Sequence, residues 1–202
     1  MERYLKKCAV IDWGDAEILA RARALSEGAR GDFEIARRCF EFVRDEVLHS
    51  HDHRRNPVTL RASEVLRHRT GYCYAKSHLL AALLRANGIP AGLCYQRLAI
   101  EESRSPFCLH GLNAVFLEGI GWYRVDARGP KPGHDAGFDP PHERLPYVPL
   151  APGEADLPEI WDEPAPCVVE ALSRHGDYAK LRKNLPDIEL VAQLTVSLRE
   201  TG

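Results

Sequence analysis

The sequence predicts an α+β fold in which helices come first and an antiparallel sheet follows. Three observations carry this. Apolar residues recur at helical spacing through most of the first half of the chain. A helix with a clear stop, "CYAKSHLLAALLRANGIP", closes that half. Three runs rich in β-branched and aromatic residues then follow in succession, the last two separated by three residues.

Taken in order, Asp15 to Ser26 and Asp32 to Leu48 read as helices. Gly28 and Gly31 punctuate the gap between them. In the second helix Ala36, Cys39, Phe40, Val43 and Val47 form one apolar stripe. The stretch "HSHDHRRNPVTL" breaks the period and turns extended around Pro57. A short helix, "ASEVLRH", follows, with Ser63 as its candidate cap.

The helix from Cys73 to Ala86 buries Leu79, Leu80, Leu83 and Leu84. Asn87-Gly88 ends it, and Pro90 forbids its continuation. "GLCYQRLAI", "HGLNAVFL" and "GWYRVDAR" are the three strands, and "EGIG" is a hairpin turn between the last two. Beyond Arg128 the chain is rich in Pro, Gly and Asp, yet it carries Phe138, Tyr147 and Trp161. This predicts an ordered loop wrapped on the core. Two short helices, Pro166 to His175 and Ile188 to Glu200, are expected to close the chain. The expected organisation is one domain over residues 1–202, with a core at about 32–129 and a loop-rich, helical extension at 130–202.

Bulk properties exclude several functions. Lys plus Arg is 27 and Asp plus Glu is 29, for a net charge of −2, so neither nucleic acid nor an anionic membrane is the expected partner. No apolar run approaches the ~20 residues needed to span a bilayer. The N-terminal stretch is charged and interrupted, unlike a secretory leader. The six cysteines lie scattered with no C-x-x-C pair, as free thiols of a reducing compartment would. A cytoplasmic setting is therefore expected, and oligomeric state is left open.

Cys73 holds the position that asks for an explanation. The first turn of a helix presents unpaired N–H groups and the positive end of the dipole, which favour a thiolate. The plainer reading is a small buried residue packing like alanine. A nucleophilic thiol needs a base and a group to orient that base. His110 opens one strand and Asp126 ends the next. If the hairpin loop is Glu118 to Ile120, Leu117 faces Gly121 and Asp126 falls opposite Leu112. His110 and Asp126 then share one face as diagonal neighbours. A two-residue turn would place them on opposite faces.

The order of these residues carries a resemblance. A Cys at a helix start, a His on a strand and an Asp on the next strand resemble the pattern of the transglutaminase-like superfamily and its papain-like core. "FEFVRDEV", "ASEVLRHRTGYCYAKSHLLAALLRANGIPAGLCYQRL" and "LHGLNAVFLEGIGWYRVDARG" carry it across residues 40–129, and "EADLPEIWDEPAPCVVEAL" is similar to the tail of bacterial members. The resemblance implies cysteine-dependent acyl transfer or hydrolysis at an amide bond. Cys73 would attack, His110 would move the proton, Asp126 would orient His110, and no cofactor or metal would be needed. The substrate would be a peptide, a protein or a small amide. The backbone N–H of Cys73 would supply half of an oxyanion hole. The "HSHDH" stretch and Tyr72 are the candidates for the other half, with no choice between them.

Two rivals stand beside this reading. One is an inactive binding module that keeps the fold. The other is a zinc-dependent hydrolase using the His49-to-His53 cluster, whose alternate positions would share one face of a strand. Arg54 and Arg55 are candidates for binding an acidic group or for a solvated loop. Gln96 and Arg97 either position substrate or make a half-exposed strand face.

Overall fold

The computed structural model describes residues 1–100, 107–129, 135–188 and 190. A 3₁₀ turn (Glu2–Leu5) precedes α1 (Ala16–Ser26) and α2 (Asp32–Glu46). Then come β1 (Leu48–His49), α3 (Ala62–His68), β2 (Thr70–Gly71) and α4 (Cys73–Ala86). The strands β3 (Ala91–Ala99), β4 (Phe107–Leu117) and β5 (Gly121–Val125) follow. The hairpin β6 (Gly137–Asp139) and β7 (His142–Arg144), the short β8 (Ala155–Asp156), and α5 (Pro166–Arg174) and α6 (Tyr178–Arg182) complete the described elements.

The fold class is α+β, as expected. The main sheet is antiparallel with the order β5-β4-β3-β8, and β1 pairs with β2 in a separate parallel ribbon. The sheet packs on one side of α4, and α1, α2 and α3 surround the rest of that helix. As a result α4 is buried from Cys73 through Arg85, all the way round and not along one stripe. Its four leucines are fully enclosed, each worth about 1.5–3 kcal/mol of transfer free energy. Its polar residues reach main-chain carbonyls instead of solvent. Arg85 donates to Ala91, Lys6 and Asp162 oxygens, tying the N-terminus and the start of β3 to a distant loop.

Several local expectations need correction. The second helix stops at Glu46 because the chain turns extended to pair with β2, so Leu48 is in a strand. Ser63 is inside α3 and does not cap it. Its N–H and hydroxyl bind Asp12, while Glu64 accepts from the Leu60 and Arg61 N–H groups. The stretch after Arg128 does wrap the core where it is described. Phe138 packs on Phe33, Phe40 and Tyr123, β8 extends the sheet, and Trp161 bridges to Leu93. Pro166–Arg174 is helical as expected, and α6 is an element the periodicity did not show. The helix expected at Ile188 to Glu200 lies almost wholly outside the described residues.

Candidate active site

β2 runs into Tyr72, which takes extended backbone (φ −66°, ψ 166°) as the N-cap, so Cys73 is the first residue of α4. Its side chain is only 7% exposed. The Gly111 N–H donates to Sγ at 3.5 Å, and the Ser77 hydroxyl donates to the Cys73 carbonyl at 2.8 Å. That approach of helix to sheet leaves little room for a side chain. A Cβ at Gly111 would stand 3.1 Å from Tyr74 Cα and 3.2 Å from Tyr74 N.

The hairpin places the other two groups. The loop between β4 and β5 is Glu118 to Ile120, with Gly119 and Gly121 at φ +80° and +91°, values that favour glycine. Leu117 pairs with Gly121 and Asn113 with Val125, the register that puts Asp126 across from Leu112. His110 Nε2 lies 2.6 Å from Asp126 Oδ2, and the Arg128 N–H donates to Asp126 Oδ1 at 2.8 Å. Both members of the pair are buried, His110 at 6% and Asp126 at 1% exposure. With Nε2–H given to the carboxylate, Nδ1 is the nitrogen left for the thiol.

The electrostatics separate the proton between these groups. Burial pushes the Cys73 thiol up, but hydrogen bonds and charge from His110, and then from His49, outweigh it and hold the thiol down at about 6. Burial pulls His110 down, while Asp126 and Cys73 raise it to about 10. Both shifts run in the direction of a thiolate beside an imidazolium. The other buried thiols behave oppositely. Cys39 and Cys94 are pushed up to about 12 by burial, as inert core cysteines should be.

His49 is the residue that sequence reasoning left among several candidates. The parallel pairing of Leu48 with Thr70 and His49 with Gly71 sets it beside the nucleophile turn, and the Ser50 N–H donates to the Gly71 carbonyl at 3.0 Å. A chain of buried hydroxyls fixes this ribbon: Ser50 meets Thr70, and Thr59 donates to the Thr70 carbonyl. His49 is among the groups that hold the Cys73 thiol down, and its ring meets Tyr72 edge-on at 5.5 Å. Asp52 Oδ2 comes within 3.3 Å of His49 Nδ1, a charge approach without hydrogen-bond alignment. Asp52 is itself held by Arg128 at 2.8 Å. Tyr72 is otherwise engaged, since its hydroxyl donates to the Tyr178 carbonyl at 2.6 Å.

The remaining candidates separate. The chain leaves β1 at His49 and coils, with the His53 N–H returning to the His49 carbonyl, so the histidines are not alternate residues of one strand. Among the described residues no three His, Cys, Asp or Glu side chains are grouped to hold a metal ion. Arg54 and Arg55 are exposed. Gln96 lies directly across from His110, and its amide donates to the Tyr147 carbonyl and to Asp156. It therefore anchors the loop whose Tyr147 ring lies edge-on to His110 at 4.8 Å. Arg97 pairs with Asp187 through Nε and Nη2, at 2.8 and 2.7 Å.

A cleft of about 230 Å³ opens onto Cys73 and His110. Leu98, Leu109 and Leu185 form an apolar wall, and His49, His51, Arg128 and Tyr147 also line it. Behind it, the fully buried Lys76 ammonium donates to the carbonyls of Arg44, Val47 and Arg128.

The family model of the transglutaminase-like superfamily matches residues 19–127, more than half of the chain. No curated protein matches it. A solved structure of a candidate cysteine protease from Cytophaga hutchinsonii is similar at 18% identity and a TM-score of 0.50, over 62% of this chain and 40% of that one. The periplasmic domain of TgpA from Pseudomonas aeruginosa is similar at 19% identity and a TM-score of 0.45, over 62% of this chain and 46% of that one. The first of these likenesses shows a common fold. The chain spans less than half the length of either structure.

Proposed function

The chain belongs to the transglutaminase-like superfamily, and on that premise we propose that it is a cysteine-dependent enzyme that breaks amide bonds through an acyl-enzyme. The observation that carries this reading is the placement of Cys73 against His110, with Asp126 2.6 Å behind the imidazole. The sulfur attacks the carbonyl carbon, and the C=O electron pair moves onto oxygen. The oxyanion is received by the Cys73 N–H and by Nε2–H of His49, which fills the second donor position. The imidazolium of His110 gives its Nδ1 proton to the departing amine as the C–N bond breaks. Water or a second amine then loses a proton to His110, attacks the thioester and releases Cys73. Asp126 holds the imidazole in one orientation and stabilises its cation. Six free thiols fit a reducing cytoplasm as the working compartment.

The test is the rate of Cys73 alkylation by iodoacetamide as a function of pH. With the thiol held down at about 6, the rate should be at half its plateau near pH 6, well below the ~8.5 of an ordinary thiol. In His110→Ala the midpoint should move up. A wild-type midpoint near 8.5 would leave a non-catalytic binding module as the reading.

A further inference from the structure

Both histidine–carboxylate pairs of the site are tied to one arginine. We propose, resting on the thiol chemistry above, that Arg128 is a positioning residue for the acyl-transfer step. Its main chain is locked to the His110–Asp126 pair. Its guanidinium holds Asp52 and, through Asp52, His49. The oxyanion donor thereby keeps a fixed place relative to the pair that moves the proton.

The main chain of Arg128 is fixed first. Two residues past Asp126, its N–H returns to Asp126 Oδ1 at 2.8 Å. The carboxylate that holds His110 therefore also sets where the Arg128 side chain begins. The Arg128 carbonyl accepts from the Lys76 ammonium at 2.9 Å. Gly129 follows at φ +101°, where a Cβ would stand 3.0 Å from the Arg44 carbonyl oxygen.

From this base the side chain crosses to the other wall. Nη2 lies 3.1 Å from Asp52 Oδ1 and 2.8 Å from Asp52 Oδ2, a contact across 76 residues. Asp52 belongs to the turn that leaves β1 at His49. The His53 N–H closes this turn onto the His49 carbonyl at 3.1 Å, and the Arg55 N–H onto the Ser50 carbonyl at 2.9 Å. Those bonds fix main chain and leave the Asp52 carboxylate to be placed by its partners. Close packing does not place it, because His49, Asp52 and Arg128 line a cavity of about 190 Å³. With the guanidinium on one side, Asp52 Oδ2 stands 3.3 Å from His49 Nδ1.

Stability alone does not account for this arginine. It is 6% exposed, and its buried Nη1 has no hydrogen-bond partner among the described residues. A buried charged donor left unspent costs folding free energy. A link between the two walls of the site gives the residue a use that offsets that cost.

Two reactions of Cys73 separate this role from a structural one. Alkylation by iodoacetamide passes through no oxyanion. Acylation by p-nitrophenyl acetate does. The sulfur bonds to the acetyl carbon and the carbonyl electron pair moves onto oxygen. That pair then returns as p-nitrophenolate leaves with the electrons of the C–O bond. The ratio of acylation rate to alkylation rate within one variant at pH 7 reads the oxyanion site, with the thiolate fraction cancelled. It should fall about 10²-fold in His49→Ala and about tenfold in Arg128→Gln. The alkylation midpoint of Arg128→Gln should stay well below the ~8.5 of an ordinary thiol. In a His49→Ala background, adding Arg128→Gln should change the ratio by less than about twofold. Arg128→Lys, a point charge on a flexible stem, should recover part of the loss and also be silent without His49. It carries the same cycle if Arg128→Gln does not fold. A full Arg128 effect in the absence of His49, or an unchanged ratio in Arg128→Gln, overturns the positioning role and leaves the thiol chemistry standing. So does an Arg128→Gln midpoint that rises to ~8.5, which would assign the arginine to the thiolate itself. A ratio untouched by His49→Ala removes the oxyanion donor and this proposal with it. A wild-type midpoint near ~8.5 overturns the thiolate reading as well.

Discussion

The two walls of the cleft each bring a histidine to the same sulfur, and they are built differently. His110 stands inside the four-stranded sheet, and the pairing register puts Asp126 behind it at 2.6 Å. His49 ends a strand of two residues, and Asp52 reaches it from the following turn at 3.3 Å without alignment. A short, buried, register-fixed hydrogen bond suits a group that must change protonation twice per turnover in one place. A looser pair suits a group that only has to offer one N–H to developing charge. Lys76 joins the two walls from behind, through the Val47 carbonyl on one side and the Arg128 carbonyl on the other.

The sharpest way to break this comparison is to remove each imidazole. His110→Ala should lower kcat/KM by about 10³ or more and shift the alkylation midpoint of Cys73 upward. His49→Ala should lower kcat by about 10²–10³ with a smaller movement of that midpoint. Wild-type turnover in His49→Ala would remove His49 from the oxyanion hole. The carboxylates should follow with smaller effects. Asp126→Asn should cost about 10²–10⁴ in kcat, because the imidazole loses both its orientation and its counter-charge. Asp52→Asn should cost about tenfold, and steady-state kinetics on one amide substrate would rank the four variants.

The smallest effect concerns stability. Burial lowers Lys76 to about 7, below the ~10.4 of an exposed lysine. Between those values the unfolded chain binds more protons than the folded one, so this group's contribution to folding stability improves as pH rises from 7 to 10. Its cost is fully present below pH 7. Urea midpoints for the wild type should therefore rise relative to those of Lys76→Met across that range. A constant difference would show that the three carbonyls keep the ammonium charged.

Much of this was legible in the sequence because it rests on periodicity and parity. The α4 stripe and its Asn87-Gly88 stop mark a helix, and a three-residue loop between β4 and β5 fixes which residues face His110. Cys73 stands out as a candidate because of where that helix begins. His49 could not be singled out in the same way. Two residues carry no period, and a parallel pairing with Thr70-Gly71 brings together segments whose partnership no local pattern announces. The enclosure of α4 was also hidden, since Lys76, His78 and Arg85 look like a solvent face until the carbonyls they meet are known. The tie between Gln96 and the Tyr147 loop has the same origin, a contact across 51 residues.

The bare Cα at Gly111 makes the gap between nucleophile and base a main-chain dimension. Leucines can be exchanged for other apolar residues beneath α4, and helix and strand will still meet backbone to backbone at this one place. One methyl group at position 111 would act as a shim. It would ask helix or strand to give by a few tenths of an ångström where the Gly111 N–H meets the sulfur, while leaving every named side chain of the site in the sequence. A chain can therefore keep Cys73, His110 and Asp126 and still have their spacing altered through a residue that has no functional group at all.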